Sequence, residues 1–296
     1  MKGEVNLNTK DMNIGFIGIG VMGKSMALNL IQAGYNLSIY TRTKSKAEQL
    51  LKAGATWQDS PALLAQSSDI IITMVGYPKD VEAIYFGKEG ILNYISKGTY
   101  LIDMTTSKPS LAVKIAEEAR EKDCHALDAP VSGGDIGAKN GKLAIMIGGE
   151  TEAFDKVFEL FQVMGENIVL QGKAGAGQHT KLANQITIAS NMIGVCEAVA
   201  YTKKAGLDPM RVLTSITTGA AGSWSLSNLA PRMIKEDYSP GFFVKHFIKD
   251  MKIALETAEE IGLKTHGLKL SLQLYEELEE KGEADSGTQA LIKLFE

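Results

Sequence analysis

From Asn13 an apolar run turns on Gly18, Gly20 and Gly23 and continues with apolar residues at helical spacing, Met26, Leu30 and Ala33. A strand, a tight glycine turn and a helix in that order commit this part of the chain to a βαβ unit that seats a dinucleotide pyrophosphate. Each glycine answers a separate need. Gly18 permits the turn, Gly20 lets backbone approach phosphate, and Gly23 lets the helix pack closely on the strand. The helix start adds free N–H groups and the positive end of its dipole. Gly18, Ile19, Gly20, Val21, Met22 and Gly23 are therefore the expected pyrophosphate-binding residues. A glycine turn that binds nothing is the alternative, and the strand-and-helix context disfavours it.

The second strand is expected at Leu37–Tyr40, where an NAD site usually carries an acidic residue about 20 positions beyond the glycines. The chain instead reads Tyr40-Thr-Arg-Thr-Lys-Ser-Lys46, with no carboxylate before Glu48. Arg42 can fork onto a 2′-phosphate, and Thr41 and Thr43 can donate hydroxyls, so NADP is expected ahead of NAD.

Short apolar runs alternate with helical patterns as far as about Gly172. Strands are expected at Ile14–Gly18, Leu37–Tyr40, Ile70–Val75, Thr99–Asp103, His125–Asp128, Leu143–Gly148 and Asn167–Leu170, with helices at Lys79–Phe86, Pro109–Glu121 and Thr151–Val163 among those between them. Such alternation predicts an α/β domain over residues 13–174, a Rossmann-type, doubly wound and mostly parallel sheet. Its ligands sit at the carboxyl ends of the strands. Strand signals then stop. A long helix over about 177–205 opens an all-helical domain, residues 175–296, with further helices at Pro209–Thr218, Lys249–Ile261 and Leu268–Lys281.

Composition narrows the function classes. The 296 residues are 45% hydrophobic and 22% charged, with a net charge of −4, so nothing favours nucleic acid or an anionic membrane as partner. Cys124 and Cys196 lie far apart and read as buried thiols of a reducing compartment. The histidines (His125, His179, His246, His266) have no ligand spacing, so no metal site is expected. No apolar stretch has the length of a membrane span. Residues Met1 to Met12 carry Lys2, Glu4, Lys10 and Asp11 and read as a disordered lead-in rather than a signal peptide, which leaves the cytoplasm as the default.

Two constellations carry chemistry. Lys181 stands on the long helix with Asn184 and Gln185 at i+3 and i+4, all on one face among apolar neighbours. Burial there would lower the lysine pKa towards use in proton transfer, whereas a surface lysine with polar neighbours is the bland alternative. Asp128-Ala-Pro-Val-Ser-Gly-Gly-Asp135 presents the Ser132 hydroxyl and the backbone of Gly133 and Gly134, a nest that suits a carboxylate, although a plain hairpin loop accounts for the glycines equally well.

In order, and across nearly the whole chain, these segments resemble the β-hydroxyacid dehydrogenase family, which includes 3-hydroxyisobutyrate dehydrogenase. The matching motifs are Gly18-Ile-Gly-Val-Met-Gly23, Asp128-Ala-Pro-Val-Ser-Gly-Gly134, Gly175-Ala-Gly-Gln-His-Thr-Lys181-Leu-Ala-Asn184-Gln185 and Phe243-Val-Lys-His-Phe-Ile-Lys249-Asp250. The family usually has Leu where this chain has Ile19. The resemblance implies Lys181 as general acid–base, Ser132, Gly133 and Gly134 as holders of a substrate carboxylate, and Asn184 with Gln185 as orienting groups. It implies Met74, Val75 and Thr106 along the cofactor and Lys249 at its nicotinamide side, with Asp250 positioning Lys249 or Lys181. Phe243, facing substrate or cofactor, and Trp224, facing substrate, are further candidates, and either suits a core equally well.

The activity so implied is hydride transfer between a nicotinamide dinucleotide and a small 3-hydroxy acid or its semialdehyde, in a water-poor cleft. Reduction of glyoxylate or of succinic or tartronate semialdehyde by the same family is the alternative, since the Ser-Gly-Gly motif points to one branch and the Arg42 turn to the other. A binding module without catalysis is a further alternative that the presence of Lys181 disfavours. Imine reductases resemble the layout but generally carry another residue at the Lys181 position. A 6-phosphogluconate dehydrogenase needs more helical chain than follows Gly175. Apolar faces on the helical domain imply a homodimer or homotetramer.

Overall fold

The computed structural model describes residues 9–296, which form two compact units divided between Lys181 and Leu182. The first unit contains strands β1 (Ile14–Ile17), β2 (Leu37–Tyr40), β3 (Thr56–Trp57), β4 (Ile70–Thr73), β5 (Tyr100–Asp103), β6 (His125–Asp128), β7 (Val131–Ser132), β8 (Leu143–Gly148) and β9 (Gly165–Gly172). Between them run helices α1 (Val21–Gln32), α2 (Glu48–Lys52), α3 (Pro61–Gln66), α4 (Pro78–Phe86), α5 (Pro109–Glu121), α6 (Gly134–Asn140) and α7 (Thr151–Met164).

The sheet order is β3-β2-β1-β4-β5-β6-β8-β7, with β9 pairing to β8. From β3 to β6 every pairing is parallel, while β8 is antiparallel to β6 and β7. Every residue of β1 and of β4 is buried, as in strands covered on both faces. Alternate side chains feed two separate cores. Ile14, Phe16, Ile70, Ile72 and Ile102 pack with Met26 and Leu30 of α1 and Val157 and Phe161 of α7. Ile17, Ile71 and Leu101 pack with Leu64, Val81, Tyr85 and Ile115 of α3, α4 and α5. The chain winds outwards from β1 in both directions, so the crevice at the carboxyl ends of β1 and β4 is the topological switch point.

Helix α8 (Ala176–Lys204) runs through the division, and α9 (Pro209–Ile216), α10 (Trp224–Asn228), α11 (Ala230–Ile234), α12 (Val244–Glu260) and α13 (His266–Leu278) complete the second unit. Its core gathers Met192, Cys196 and Val199 of α8 with Phe247 and Met251 of α12 and Tyr275 of α13. The buried Tyr275 hydroxyl donates to the Thr288 carbonyl at 2.9 Å, so its polar end is satisfied. Tyr201, Ile261 and Leu263 remain exposed. Among the described residues no helix is long and apolar enough to cross a membrane.

The α/β-then-helical architecture follows the periodicity, with local differences. Strands β3 and β7 have two residues each, and α2, α3, α6, α10 and α11 have five to seven, too short for a period to show. Helix α12 begins at Val244 rather than Lys249, because Val244, Phe247 and Ile248 already carry its buried face. Helix α13 stops at Leu278, before a wide turn that contains Gly282 at φ 89°. The expected disordered lead-in needs correction at its end. Met1–Asn8 lie outside the described residues, but Thr9–Asp11 form a helical turn, Thr9 Oγ1 donates to Glu159 at 3.0 Å, and Met12 is buried.

Candidate active site

The ends of the parallel strands are tied into one ledge. Gly18 N donates to Tyr40 O at 3.0 Å, Met74 N to Ile17 O at 2.9 Å, and Met104 N to Thr73 O at 2.8 Å. Val75 N donates to Thr105 Oγ1 at 3.0 Å. Along this ledge stand Thr41 and Arg42 after β2, Gly18 to Gly20 after β1, Met74 and Val75 after β4, and Thr106 after β5. Thr43 completes the β2 turn as the residue before a helical turn at Lys44–Ala47.

The glycine turn has the shape that a dinucleotide requires. A Cβ on Gly18, whose φ is +102°, would stand 2.1 Å from the Met74 carbonyl oxygen, and one on Gly23 would stand 2.0 Å from the Gly18 carbonyl oxygen. Both sites exclude any side chain and draw the start of α1 onto the strand ends. A Cβ on Gly20 would meet nothing within 4 Å, so the open space at this helix start is outside the turn, where a phosphate approaches. Val21 is exposed and Met22 half-buried, while the Ile19 side chain lies in the core and leaves only its backbone for a ligand. The donor set therefore fits a dinucleotide: backbone N–H groups at the start of α1, and the Arg42 guanidinium with the hydroxyls of Thr41 and Thr43 after β2.

The segment that carries Lys181 is anchored by two buried side chains that sequence reading left without a role. The Asp128 carboxylate accepts from Gly175 N at 2.7 Å and from Gln178 N at 2.8 Å, which satisfies N–H groups at the start of α8. Burial pushes the Asp128 pKa up, and these backbone donors pull it back. The Gln178 side chain accepts from Ser107 N at 2.9 Å and donates to Thr105 O at 2.7 Å, which ties α8 to the loop containing Thr106. Gly177 packs against the Met146 and Asp128 carbonyls, where a Cβ would come within 2.4 and 2.6 Å. Lys181, one turn further on, is 6% exposed, so the bland alternative of a surface lysine does not hold. The one signal in the sequence that could have found these anchors is the run Gly175-Ala-Gly-Gln178 ahead of the long helix, and its partners lie far away in sequence.

Ser132 and Gly134 are half-buried and Gly133 is exposed. Gly133 and Gly134 have φ of 131° and 64° and lead directly into α6, so the segment is a strand-to-helix turn rather than a plain hairpin.

In the second unit a chain of contacts joins α8 to α12. Asn184 Nδ2 donates to Gln185 Oε1 at 2.8 Å, Gln185 Nε2 donates to Asp250 Oδ2 at 2.7 Å, and Lys249 Nζ lies 2.8 Å from Asp250 Oδ1. Gln185 and Asp250 are buried, and Asn184 and Lys249 stand at the half-buried ends of the chain. Of the two partners expected for Asp250, Lys249 is the one within this unit. Phe243 precedes α12, half-buried, with its ring against His246 at a centroid distance of 5.7 Å. Trp224 is 68% exposed and is not a core residue.

Comparison with known proteins places both units. Residues 13–172 match the family model described as the NAD binding domain of 6-phosphogluconate dehydrogenase. Residues 175–295 match that described as the NAD-binding of NADP-dependent 3-hydroxyisobutyrate dehydrogenase. The chain is 62% identical to the Bacillus subtilis "Uncharacterized oxidoreductase YkwC", over 95% of this chain and 98% of the relative. It is 49% identical to the Arabidopsis thaliana "Probable 3-hydroxyisobutyrate dehydrogenase-like 1, mitochondrial", over 98% of this chain and 86% of the relative. Among solved structures, the 3-hydroxyisobutyrate dehydrogenase of Mycobacterium tuberculosis with L-serine superposes with a TM-score of 0.88 at 26% identity, covering 96% of this chain and 98% of that one.

Proposed function

The chain belongs to the β-hydroxyacid dehydrogenase family as an oxidoreductase of the 3-hydroxyisobutyrate dehydrogenase type, and from that premise we propose that it interconverts a small 3-hydroxy carboxylic acid and its semialdehyde, with Lys181 as general acid–base. The observation that carries the reading is the buried Lys181 on a helix start fixed by Asp128 and Gln178 beside the Thr106 loop.

The α1 helix start with Gly18, Ile19, Gly20, Val21, Met22 and Gly23 would hold the pyrophosphate. Arg42, Thr41 and Thr43 would hold a 2′-phosphate, which favours NADP over NAD. Met74, Val75, Thr106, Phe243 and Lys249 would line the remainder. The dinucleotide, when bound, supplies or accepts the hydride. The residues of this chain do the rest. Ser132 with the backbone of Gly133 and Gly134 holds the substrate carboxylate, and Trp224 is a further substrate contact. Asn184 orients the reacting end, and its own amide is held by Gln185 and, through it, by Asp250. Lys181 takes the proton of the hydroxyl oxygen in the oxidation direction and returns it to the carbonyl oxygen in reduction.

The test is initial rates with NADPH and NADH against methylmalonate, succinic and tartronate semialdehydes and glyoxylate, with 3-hydroxyisobutyrate and L-serine in the reverse direction. Turnover of a semialdehyde with NADPH is the expected result. Lys181→Met should reduce kcat by at least about a thousandfold, a general acid–base loss together with its positioning, while leaving dinucleotide binding intact. Undiminished turnover by that variant would remove the mechanism.

A further inference from the structure

The turn after β2 has no carboxylate of its own, yet the tertiary structure brings one to it. Asp80, the third residue of α4, accepts a hydrogen bond through Oδ1 from Arg42 Nη1 at 3.2 Å. Arg42 follows β2 and α4 follows β4, the two strands that flank β1. The pair therefore meets across the carboxyl end of β1, at the glycine turn. The Arg42 side chain is 79% exposed and that of Asp80 only 13%. The second carboxylate oxygen, Oδ2, is buried and has no hydrogen-bond partner. It lies 3.5 Å from the position that a Cβ on Gly76 would take, and so faces the turn that follows Met74 and Val75. A carboxylate oxygen removed from water without a donor is costly unless a ligand supplies one.

We propose that Asp80 is a specificity-determining residue of the dinucleotide site. Its Oδ2 accepts a hydrogen bond from the adenosine portion of the dinucleotide, and its charge opposes a 2′-phosphate on that portion. Arg42 is then a shared cation. Without a 2′-phosphate it stays with Asp80. With one, phosphate and carboxylate compete for a single guanidinium and repel each other. The carboxylate thus holds the preference for NADPH below what Arg42, Thr41 and Thr43 alone would set, and keeps NADH a usable ligand. This rests on the reading of the glycine turn as a dinucleotide site.

The experiment measures dissociation constants for NADPH and for NADH by the change in nicotinamide fluorescence on titration, with no substrate and no turnover. The proteins are the natural chain, Asp80→Asn, Arg42→Ala and the double variant. Asparagine keeps an acceptor for Arg42 and loses the charge. Asp80→Asn should bind NADPH about fivefold more tightly, equivalent to ~1 kcal/mol, and NADH no more tightly than before. On the Arg42→Ala background the gain for NADPH should vanish, which a merely structural effect at Asp80 would not produce. Equal shifts for both dinucleotides, no shift, or a gain that persists without Arg42 would each overturn the assignment. Binding of neither dinucleotide to the natural chain would instead remove the dinucleotide reading, and this inference with it. An unchanged thermal midpoint of Asp80→Asn keeps the comparison on folded protein.

Discussion

At Gly23 an added Cβ would stand 2.0 Å from a carbonyl oxygen, while at Gly20 it would meet open space. Two glycines of one motif are therefore separable by experiment. Gly23→Ala has to push α1 away from the strand ends, which costs about 2 kcal/mol or more, as overpacking against backbone does. Gly20 has φ −85° and ψ −165°, a conformation open to any residue, so Gly20→Ala should leave stability within about 0.5 kcal/mol. Its methyl group occupies the space kept for a phosphate, so this variant should lose dinucleotide affinity. Urea titration and fluorescence titration read the two effects independently. A destabilised Gly20→Ala, or one with unaltered affinity, would contradict the division of labour between the two positions.

Elements here are joined by single buried side chains. Helix α8 is fixed at its start by Asp128 and Gln178, and further along by Gln185, whose amide bridges Asn184 to Asp250 of α12. Gln185→Leu keeps the approximate volume but removes the donor to a buried carboxylate. A hydrogen bond to a charged group contributes about 1.5–3 kcal/mol, so stability should fall by about that amount. If the bridge also sets the pose of Asn184, kcat falls further than the change in folded fraction accounts for, and a denaturation curve beside a rate measurement distinguishes the two. An unchanged curve would mean that Asp250 is held by Lys249 alone. Asn184, Gln185 and Asp250 stand in two of the motifs read from the sequence. The bridge between them was not visible in the spacing, because α8 and α12 are separate helices whose pairing depends on the packing of the second unit.

Over the whole molecule the clearest pH signature comes from Asp103. Burial raises its pKa from 3.8 to about 6, against the opposing hydrogen bonds from Thr73 and Thr105. A carboxyl with a raised folded-state pKa contributes stability that is fully present below its unfolded value and is lost as pH rises through about 6. A shift of about two units corresponds to about 3 kcal/mol. Both hydrogen bonds go to Oδ1, at 2.8 Å from Thr73 Oγ1 and 3.1 Å from Thr105 N, so an amide oxygen in Asp103→Asn keeps them. The denaturation midpoint of this variant should gain on the natural chain between pH 4 and pH 7 and show a flatter profile there. Parallel profiles would mean that Asp103 is not the titrating group. The α/β-then-helical order of the longer elements, the glycine turn and the helix that carries Lys181 were determined by the sequence alone, because each is a local period or a local backbone requirement. The Arg42–Asp80, Asp128–Gly175 and Gln185–Asp250 contacts join residues 38, 47 and 65 positions apart. Only the tertiary structure decided them, because which strand ends and helix faces meet follows from sheet order and packing, and no spacing along the chain encodes that.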